Sequence, residues 1–92
     1  MDYMSTVRIS NHAKEQMDER GITEQMVLEI IRNPDQTIPE DDDKLIYQSL
    51  RFFVEEGRDY LVRVFVNIVK EPHLVITVYR TSRIEKYWIN ED

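Results

Sequence analysis

The sequence predicts an α+β fold in which two N-terminal helices pack on an antiparallel sheet of three to four strands. The first third of the chain carries apolar residues at helical spacing, between residues that start and stop helices. From Lys44 onward, apolar residues instead recur at every second position. Very short connections separate these β-like segments, as antiparallel hairpins require.

The predicted helices are defined by their ends. Ser10 and Thr23 stand at N-cap positions, because their hydroxyls can accept a hydrogen bond from the first helical turn. Gly21 ends the first helix, which covers residues 11–20, and Pro34 ends the second. The second helix has one apolar face, made of Met26, Val27, Ile30 and Ile31. The short link between them predicts a compact helical pair.

The rest of the chain is predicted to form strands. The long strands are expected at residues 44–54, 59–69 and 73–80. Shorter β-like segments lie at 7–9 and at 36–39, the latter as an edge strand. Residues 82–89 are expected to form a final strand or a helical turn that packs on the sheet.

Alternation along the strands assigns the two faces of this sheet. The set predicted to face the helices is Val62, Val64, Val66, Ile68, Leu74, Ile76 and Val78. The set predicted for the outer face is Leu61, Arg63, Phe65, Asn67, Val75, Thr77 and Tyr79. An outer face that carries polar and charged groups beside apolar ones indicates a second interface or a binding site.

Length and composition indicate one folded domain, residues 1–92, with no cofactor. The chain is 41% hydrophobic and 33% charged, a globular profile. It has no cysteine, which excludes disulfides and thiolate metal sites and fits a cytoplasmic location. No secretory leader is expected at the N-terminus, and no stretch approaches the ~20 apolar residues that span a bilayer.

The net charge of −6 comes from two acidic stretches, residues 40–43 and 91–92. An acidic protein is a poor default binder of nucleic acid, but the segment between Arg58 and Trp88 has a basic excess. The run at 40–43 is predicted to be a solvated turn. Calcium binding is the alternative, although the ligand spacing of an EF-hand loop is missing.

His12 is the first candidate for chemistry, because it lies in the first turn of the first predicted helix. It could act as a general base or contact a phosphate at the helix N-terminus. The alternative is an ordinary surface or capping histidine. His73 is expected to be a turn residue. The sequence has no histidine cluster with zinc spacing and no Gly-rich phosphate loop.

Two further groups of side chains are candidates for contacting phosphates or unpaired bases. One group could bind phosphates bidentately, or pair with acids on neighbouring strands: Arg63, Arg80 and Arg83. The other could stack on unpaired bases, or anchor the rim of an interface: Tyr79, Tyr87 and Trp88.

Three segments resemble a known bacterial family. Residues 10–22 read Ser-Asn-His-Ala-Lys-Glu-Gln-Met-Asp-Glu-Arg-Gly-Ile and are similar to the opening signature of domain of unknown function family 4258, DUF4258. Residues 33–35, Asn-Pro-Asp, are similar to the family's helix-ending motif, and residues 76–79, Ile-Thr-Val-Tyr, to its Thr-Val-Tyr strand. The resemblance extends over residues 7–88.

The resemblance implies a RelE-like or BrnT-like toxin fold, whose relatives cleave RNA without a metal. Those relatives use the RNA 2′-hydroxyl as nucleophile, so the protein supplies an acid, a base and positive charge. The implied catalytic set is His12 as base or acid, Arg63 on the phosphate, and Thr77 and Tyr79 as orienting or donating groups. The implied substrate-binding set is Arg80, Arg83 and Tyr87. The implied partners are RNA and an inhibiting antitoxin.

Two other functions stay open at this point. The outer face or an exposed edge strand could belong to a non-catalytic domain that binds a protein partner or forms a homodimer. The apolar residues Leu61, Phe65 and Val75 favour that hypothesis. The third hypothesis, a nucleic-acid binder without chemistry, is disfavoured by the net charge of −6. Neither a membrane nor a metal ion is an expected partner.

Overall fold

A computed structural model describes residues 7–90, which form one five-stranded sheet and three helices. The strands are β1 (Val7–Ile9), β2 (Gln36–Pro39), β3 (Lys44–Phe53), β4 (Arg58–Asn67) and β5 (His73–Thr81). The helices are α1 (Asn11–Arg20), α2 (Glu24–Arg32) and the short α3 (Ile84–Tyr87). The strand order is β1-β5-β4-β3-β2, with β1 parallel to β5 and the other neighbours antiparallel.

The predicted fold class is wrong in its sheet and its helix count. The sheet has five strands and is mixed, not antiparallel with three to four strands, and a third helix follows β5. The difference arises at the sheet edges, where β1 has three residues and β2 has four. Segments this short carry too few alternations for a pattern to show whether, and in which direction, they pair.

The two N-terminal helices begin and end at the predicted capping residues. The Ser10 hydroxyl accepts a hydrogen bond from the Ala13 N–H at 3.1 Å, and Thr23 caps α2 in the same way. Gly21 closes α1 with φ 67°, a left-handed conformation that glycine adopts without steric cost. These local signals fix where each helix starts and stops.

The main core lies between the sheet and the first two helices. From β4 it takes Val62, Val64 and Val66, which are fully or almost fully buried, as alternation predicts. From the helices and the loop between them it takes Ala13, Met17, Ile22, Val27 and Ile30. Burial of these apolar groups is the main favourable contribution to folding.

The predicted faces of β5 are wrong in part, because the strand contains a bulge. Phe65 pairs with Thr77 but the next residue, Val66, pairs with Val75, so Ile76 has no partner in the register. Val75 therefore joins the core, while the predicted core residues Leu74 and Ile76 are only half-buried. Beyond the bulge, Gln16 of α1 accepts a hydrogen bond from the Val78 N–H at 2.9 Å.

The acidic run at residues 40–43 forms the turn between β2 and β3. The Asp41 carboxylate accepts hydrogen bonds from the Asp43 and Lys44 N–H groups at 2.8 and 2.9 Å. The Lys44 ammonium lies 2.9 Å from the same carboxylate, and this contact lowers the pKa of Asp41. These contacts order a turn whose side chains are otherwise solvated.

Within residues 7–90, no helix has both the length and the apolar character that a membrane span requires. The expectation that the N-terminus carries no secretory leader concerns in part residues 1–6, which lie outside the described range, as do residues 91–92.

Candidate functional site

The outer face of the sheet contains a buried arginine at its centre. Arg63 of β4 lies between Gln48 of β3 and Tyr79 of β5 in the strand register. Its Nε donates to Gln48 Oε1 at 2.8 Å, and its Nη1 donates to the Tyr79 hydroxyl at 2.7 Å. Only 8% of Arg63 is exposed to solvent. Adjacent strands therefore hold the guanidinium in a fixed position.

Three aromatic rings surround the Arg63 guanidinium. Its central carbon lies 4.4 Å from the ring centre of Tyr87, 5.4 Å from that of Phe65 and 5.8 Å from that of Tyr79. Cation–π attraction of this kind stabilises a desolvated cation by about 2 kcal/mol or more. The rings compensate part, but not all, of the hydration that burial removes.

No carboxylate among residues 7–90 lies within 4.0 Å of Arg63. The ion pairs of that range are Lys44 with Asp41, Arg51 with Glu29, and Arg80 with Glu56. A buried cation is ordinarily paired with an acid, because an isolated charge in a poorly solvated site is costly. The charge of Arg63 therefore has no carboxylate partner within the described chain.

Two glutamines connect this arginine to the C-terminal segment, here residues 84–90. Arg63 can only donate, so the fully buried Gln48 must present its amide oxygen to it. Its amide nitrogen then donates to Gln36 Oε1 at 2.8 Å and to the Tyr87 carbonyl at 3.1 Å. Gln36 in turn donates to the Ile89 carbonyl at 2.6 Å and accepts from the Ile89 N–H at 3.1 Å.

These hydrogen bonds hold the C-terminal segment over the outer face. The segment contains the helical turn α3, in agreement with the prediction of a strand or helical turn at residues 82–89. The Tyr87 ring covers the guanidinium of Arg63 and lies 6.4 Å from the Tyr79 ring in an edge-to-face arrangement. As a result, the arginine cluster, defined as Gln48, Arg63, Tyr79 and Tyr87, is closed by the protein itself.

The structure brings three of the predicted site residues together in this cluster, namely Arg63, Tyr79 and Tyr87. Thr77 lies on the same outer face, two residues before Tyr79 on β5 and opposite Phe65 of β4. Arg83 is exposed and immediately precedes α3.

Two predicted site residues lie on the other side of the sheet. His12 is exposed on α1, the helix that buries Ala13 and Met17 in the core between helices and sheet. Arg80 points to that side as well, since it pairs with Val62 in the register. Its guanidinium lies 4.3 Å from the Phe53 ring centre and 4.4 Å from that of Tyr60. The sheet therefore separates His12 and Arg80 from Arg63.

Sequence reasoning missed both glutamines. Gln48 interrupts an otherwise apolar row, since its neighbours on the outer face are Ile46 and Leu50. A polar residue in such a row is a usable signal for a buried hydrogen bond. Linking it to Arg63, however, needs the register of β3 against β4, and linking it to Gln36 needs that of β2 against β3.

Among residues 7–90, no three His, Asp or Glu side chains converge on one point. The outer face holds groups of another kind. It offers a fixed cation, a hydroxyl and flat aromatic surfaces, which together match a phosphate joined to a base.

The chain matches the model of a known protein family. The family described as Domain of unknown function (DUF4258) matches residues 9–80. That range includes Gln48, Arg63 and Tyr79 of the cluster and ends before Tyr87. No curated protein and no solved structure matches the chain.

Proposed function

The chain belongs to the DUF4258 family, and we propose that it is a metal-independent ribonuclease of toxin type, controlled by a partner protein. The observation that carries the proposal is the buried guanidinium of Arg63, which has no carboxylate within 4.0 Å among residues 7–90. The resemblance to RelE-like and BrnT-like toxins supports RNA as the substrate. RNA as substrate is consistent with action in the cytoplasm.

Arg63 is suited to stabilise the transition state of RNA cleavage. Attack of a 2′-hydroxyl on the adjacent phosphorus produces a phosphorane with two negative charges, which needs a fixed cation. A guanidinium in a poorly solvated site interacts with such charge far more strongly than one in water. Among the described residues, Nε and Nη1 have acceptors and none accepts from Nη2. That third nitrogen is available to a phosphate oxygen.

Tyr79 is suited to act as the general acid. Its oxygen accepts a hydrogen bond from Arg63, so its own proton can be donated to another group. In the proposed reaction the 2′-oxygen bonds to phosphorus, and its proton passes to water. The bond to the 5′-oxygen breaks, and that oxygen receives the Tyr79 proton, which water then restores. The products are a 2′,3′-cyclic phosphate and a 5′-hydroxyl.

Access to Arg63 requires movement of the C-terminal segment. Because Tyr87 covers the guanidinium, an RNA phosphate reaches it only when residues 84–90 are displaced. The ring of Tyr87 is then free to stack on an RNA base. This gives a direct means of control, since a partner that binds the closed segment would keep the enzyme inactive.

The test is cleavage of fluorescent single-stranded RNA in the presence of EDTA. We expect Arg63→Lys to lower the rate at least ~100-fold, because the guanidinium fork is lost. We expect Tyr79→Phe, which removes one hydroxyl, to lower it by about 100-fold. Arg8→Lys is the control, because Arg8 is an exposed arginine of β1 outside the cluster.

The same assay is run on Gln36→Ala, in which the hydrogen bonds that hold residue 89 are removed. This variant exposes the cluster if closure alone suppresses activity. Absence of cleavage by both the folded wild type and Gln36→Ala would overturn the proposal. Unchanged rates in Arg63→Lys and Tyr79→Phe would also overturn it, because the activity would then arise elsewhere.

The second candidate function is a non-catalytic domain that binds a protein partner or a second copy. Exposed apolar side chains on β3, Leu50 and Phe52, favour it. Two of the residues on which that hypothesis first rested cannot contact a partner, because Leu61 and Val75 are fully buried. A folded protein that neither binds nor cleaves RNA but associates with a polypeptide would support this function instead.

A further inference from the structure

The outer face of the sheet carries a row of four polar side chains that runs across the strands. Gln36, Gln48, Arg63 and Tyr79 stand opposite one another in the register of β2, β3, β4 and β5. Each is joined to the next by a hydrogen bond of 2.7 or 2.8 Å. Of these four side chains, only Arg63 is charged at neutral pH. The row therefore has a net positive charge, which the neighbouring amides and rings stabilise but do not cancel.

Gln48 occupies the place where an acid would ordinarily pair with a buried arginine. It is fully buried, and its Oε1 lies 2.8 Å from Nε of Arg63. The side chain of glutamate has the same length, so its carboxylate would reach this position and form an ion pair. Buried arginines are ordinarily paired in this way. The amide of Gln48 accepts the same hydrogen bond without adding a negative charge.

The amide of Gln48 also makes contacts that a carboxylate cannot make. Its nitrogen donates to Gln36 and to the Tyr87 carbonyl, whereas an ionised carboxylate only accepts. An amide at this position therefore has two separate consequences. It holds the C-terminal segment over the outer face, and it leaves the charge of Arg63 intact.

We propose that Gln48 is a positioning residue, which fixes the Arg63 guanidinium in place and preserves its net charge for a phosphate. The inference rests on the proposed function, because RNA supplies that phosphate. A carboxylate at this position would neutralise the guanidinium in advance, and a phosphate would then have to compete with an ion pair in order to bind. The amide holds the same nitrogen and leaves its charge to the substrate.

The test compares Gln48→Glu with Gln48→Met, each combined with Gln36→Ala. Both double variants lose the hydrogen bonds from the two glutamines to the C-terminal segment, so the segment is released alike in both. Gln48→Glu keeps an acceptor for Nε of Arg63 and adds a charge, whereas Gln48→Met is neutral and has no oxygen. The probe is a fluorescent single-stranded DNA oligonucleotide, which lacks the 2′-hydroxyl nucleophile and therefore binds without being cleaved.

We expect the double variant with Gln48→Met to bind the probe at least about tenfold more tightly than the one with Gln48→Glu, in fluorescence anisotropy at constant salt. A role in positioning alone predicts the opposite order, because only Gln48→Glu keeps the hydrogen bond to Nε. Thr37→Glu in the Gln36→Ala background is the control for an added negative charge, because Thr37 is exposed and lies on the other face of β2. It should weaken binding less than about twofold.

Equal or tighter binding by the variant with Gln48→Glu overturns the inference, and so does the absence of binding by every variant. Circular dichroism establishes that each protein is folded. If Gln48→Glu does not fold, the variant with Gln48→Met decides alone. Binding that Arg63→Met abolishes then supports the inference, whereas binding that is absent or indifferent to Arg63→Met overturns it.

The outcome is separable from that of the proposed function. The expected order of binding, together with no cleavage of the matching RNA by any variant, would refute the nuclease and leave the charge-preserving role of Gln48 in place. Cleavage with the opposite order of binding would support the nuclease and refute this role.

Discussion

One residue, Arg63, sets the hydrogen-bond directions of the whole outer face. Because a guanidinium only donates, Gln48 must offer its oxygen to it and its nitrogen to Gln36 and to the Tyr87 carbonyl. Gln36 must then accept from Gln48 and donate to the Ile89 carbonyl. The geometry of the C-terminal segment is thus linked to the charge of one buried side chain.

Arg80 differs from Arg63 in having its own compensation. Its guanidinium lies against the rings of both Phe53 and Tyr60 and is 3.5 Å from the Glu56 carboxylate. We therefore expect Arg80→Lys to lower the free energy of unfolding by about 1 kcal/mol through lost stacking, measured in urea. It should leave RNA cleavage unchanged.

The control for the ion pair is Glu56→Gln. Because Glu56 is substantially exposed, its removal should cost less than about 0.5 kcal/mol. Equal stability of Arg80→Lys and wild type would show that stacking contributes nothing. A loss of RNA affinity at full stability would return Arg80 to the predicted role of substrate ligand.

At the residue scale, alternation on β4 was enough to assign Arg63 to the outer face. It was not enough to assign Tyr87, which reaches the same place from a segment beyond the sheet. The separation of His12 from Arg63 could not be predicted either. Which side of the sheet α1 covers depends on the parallel pairing of β1 with β5, a contact between distant residues.

At the scale of elements, few hydrogen bonds hold the C-terminal segment on the sheet. The side chain of Gln36 bonds both backbone groups of Ile89, much as a neighbouring strand would. We expect Gln36→Ala to release the segment, because it removes both of those hydrogen bonds and one to Gln48. Trp88, half-buried in the segment, should then emit at longer wavelength, and trypsin should cut sooner after Lys86.

Thr37→Ala is the matched control for this release, since Thr37 is the next residue of β2 and is exposed. Its fluorescence and proteolysis should equal those of the wild type. If Gln36→Ala behaves like Thr37→Ala, the segment is held by packing of Tyr87 on Arg63, and the two glutamines are incidental to its position.

The elements that could be predicted are those defined by local signals. Each of the two N-terminal helices is directly preceded in the sequence by its N-cap residue. The strands β3, β4 and β5 are long enough to show alternation. The bulge at Ile76 could not be predicted, because a strand with a bulge keeps the apolar composition of a regular one. The bulge is visible only in the register of β5 against β4.

At the scale of the whole molecule, the sheet separates two different interiors. The helix side is an apolar core, whereas the outer side encloses a charged and hydrogen-bonded cluster under the C-terminal segment. An apolar core of this kind supplies most of the stability of a small domain. The outer cluster is held instead by hydrogen bonds and by the cation–π contacts of Arg63.

Burial of a tyrosine on the helix side also makes the stability of the fold decrease at alkaline pH. Tyr47 of β3 packs against the core, and burial raises the pKa of its phenol above the usual value of about 10. Between the usual and the raised pKa, the unfolded chain loses this proton while the folded chain keeps it. The unfolded state then binds fewer protons, so stability is complete below pH ~10 and falls as the pH rises further.

Tyr47→Phe isolates this contribution. The Lys44 pKa is also raised, by its hydrogen bond to Asp41, and that effect lowers stability in the same direction in both proteins. In urea unfolding between pH 8 and pH 11, we therefore expect both to lose stability, and the wild type to lose more. Curves that fall in parallel would mean that the Tyr47 phenol titrates alike in the folded and unfolded chains, and that water reaches it through the edge of the core.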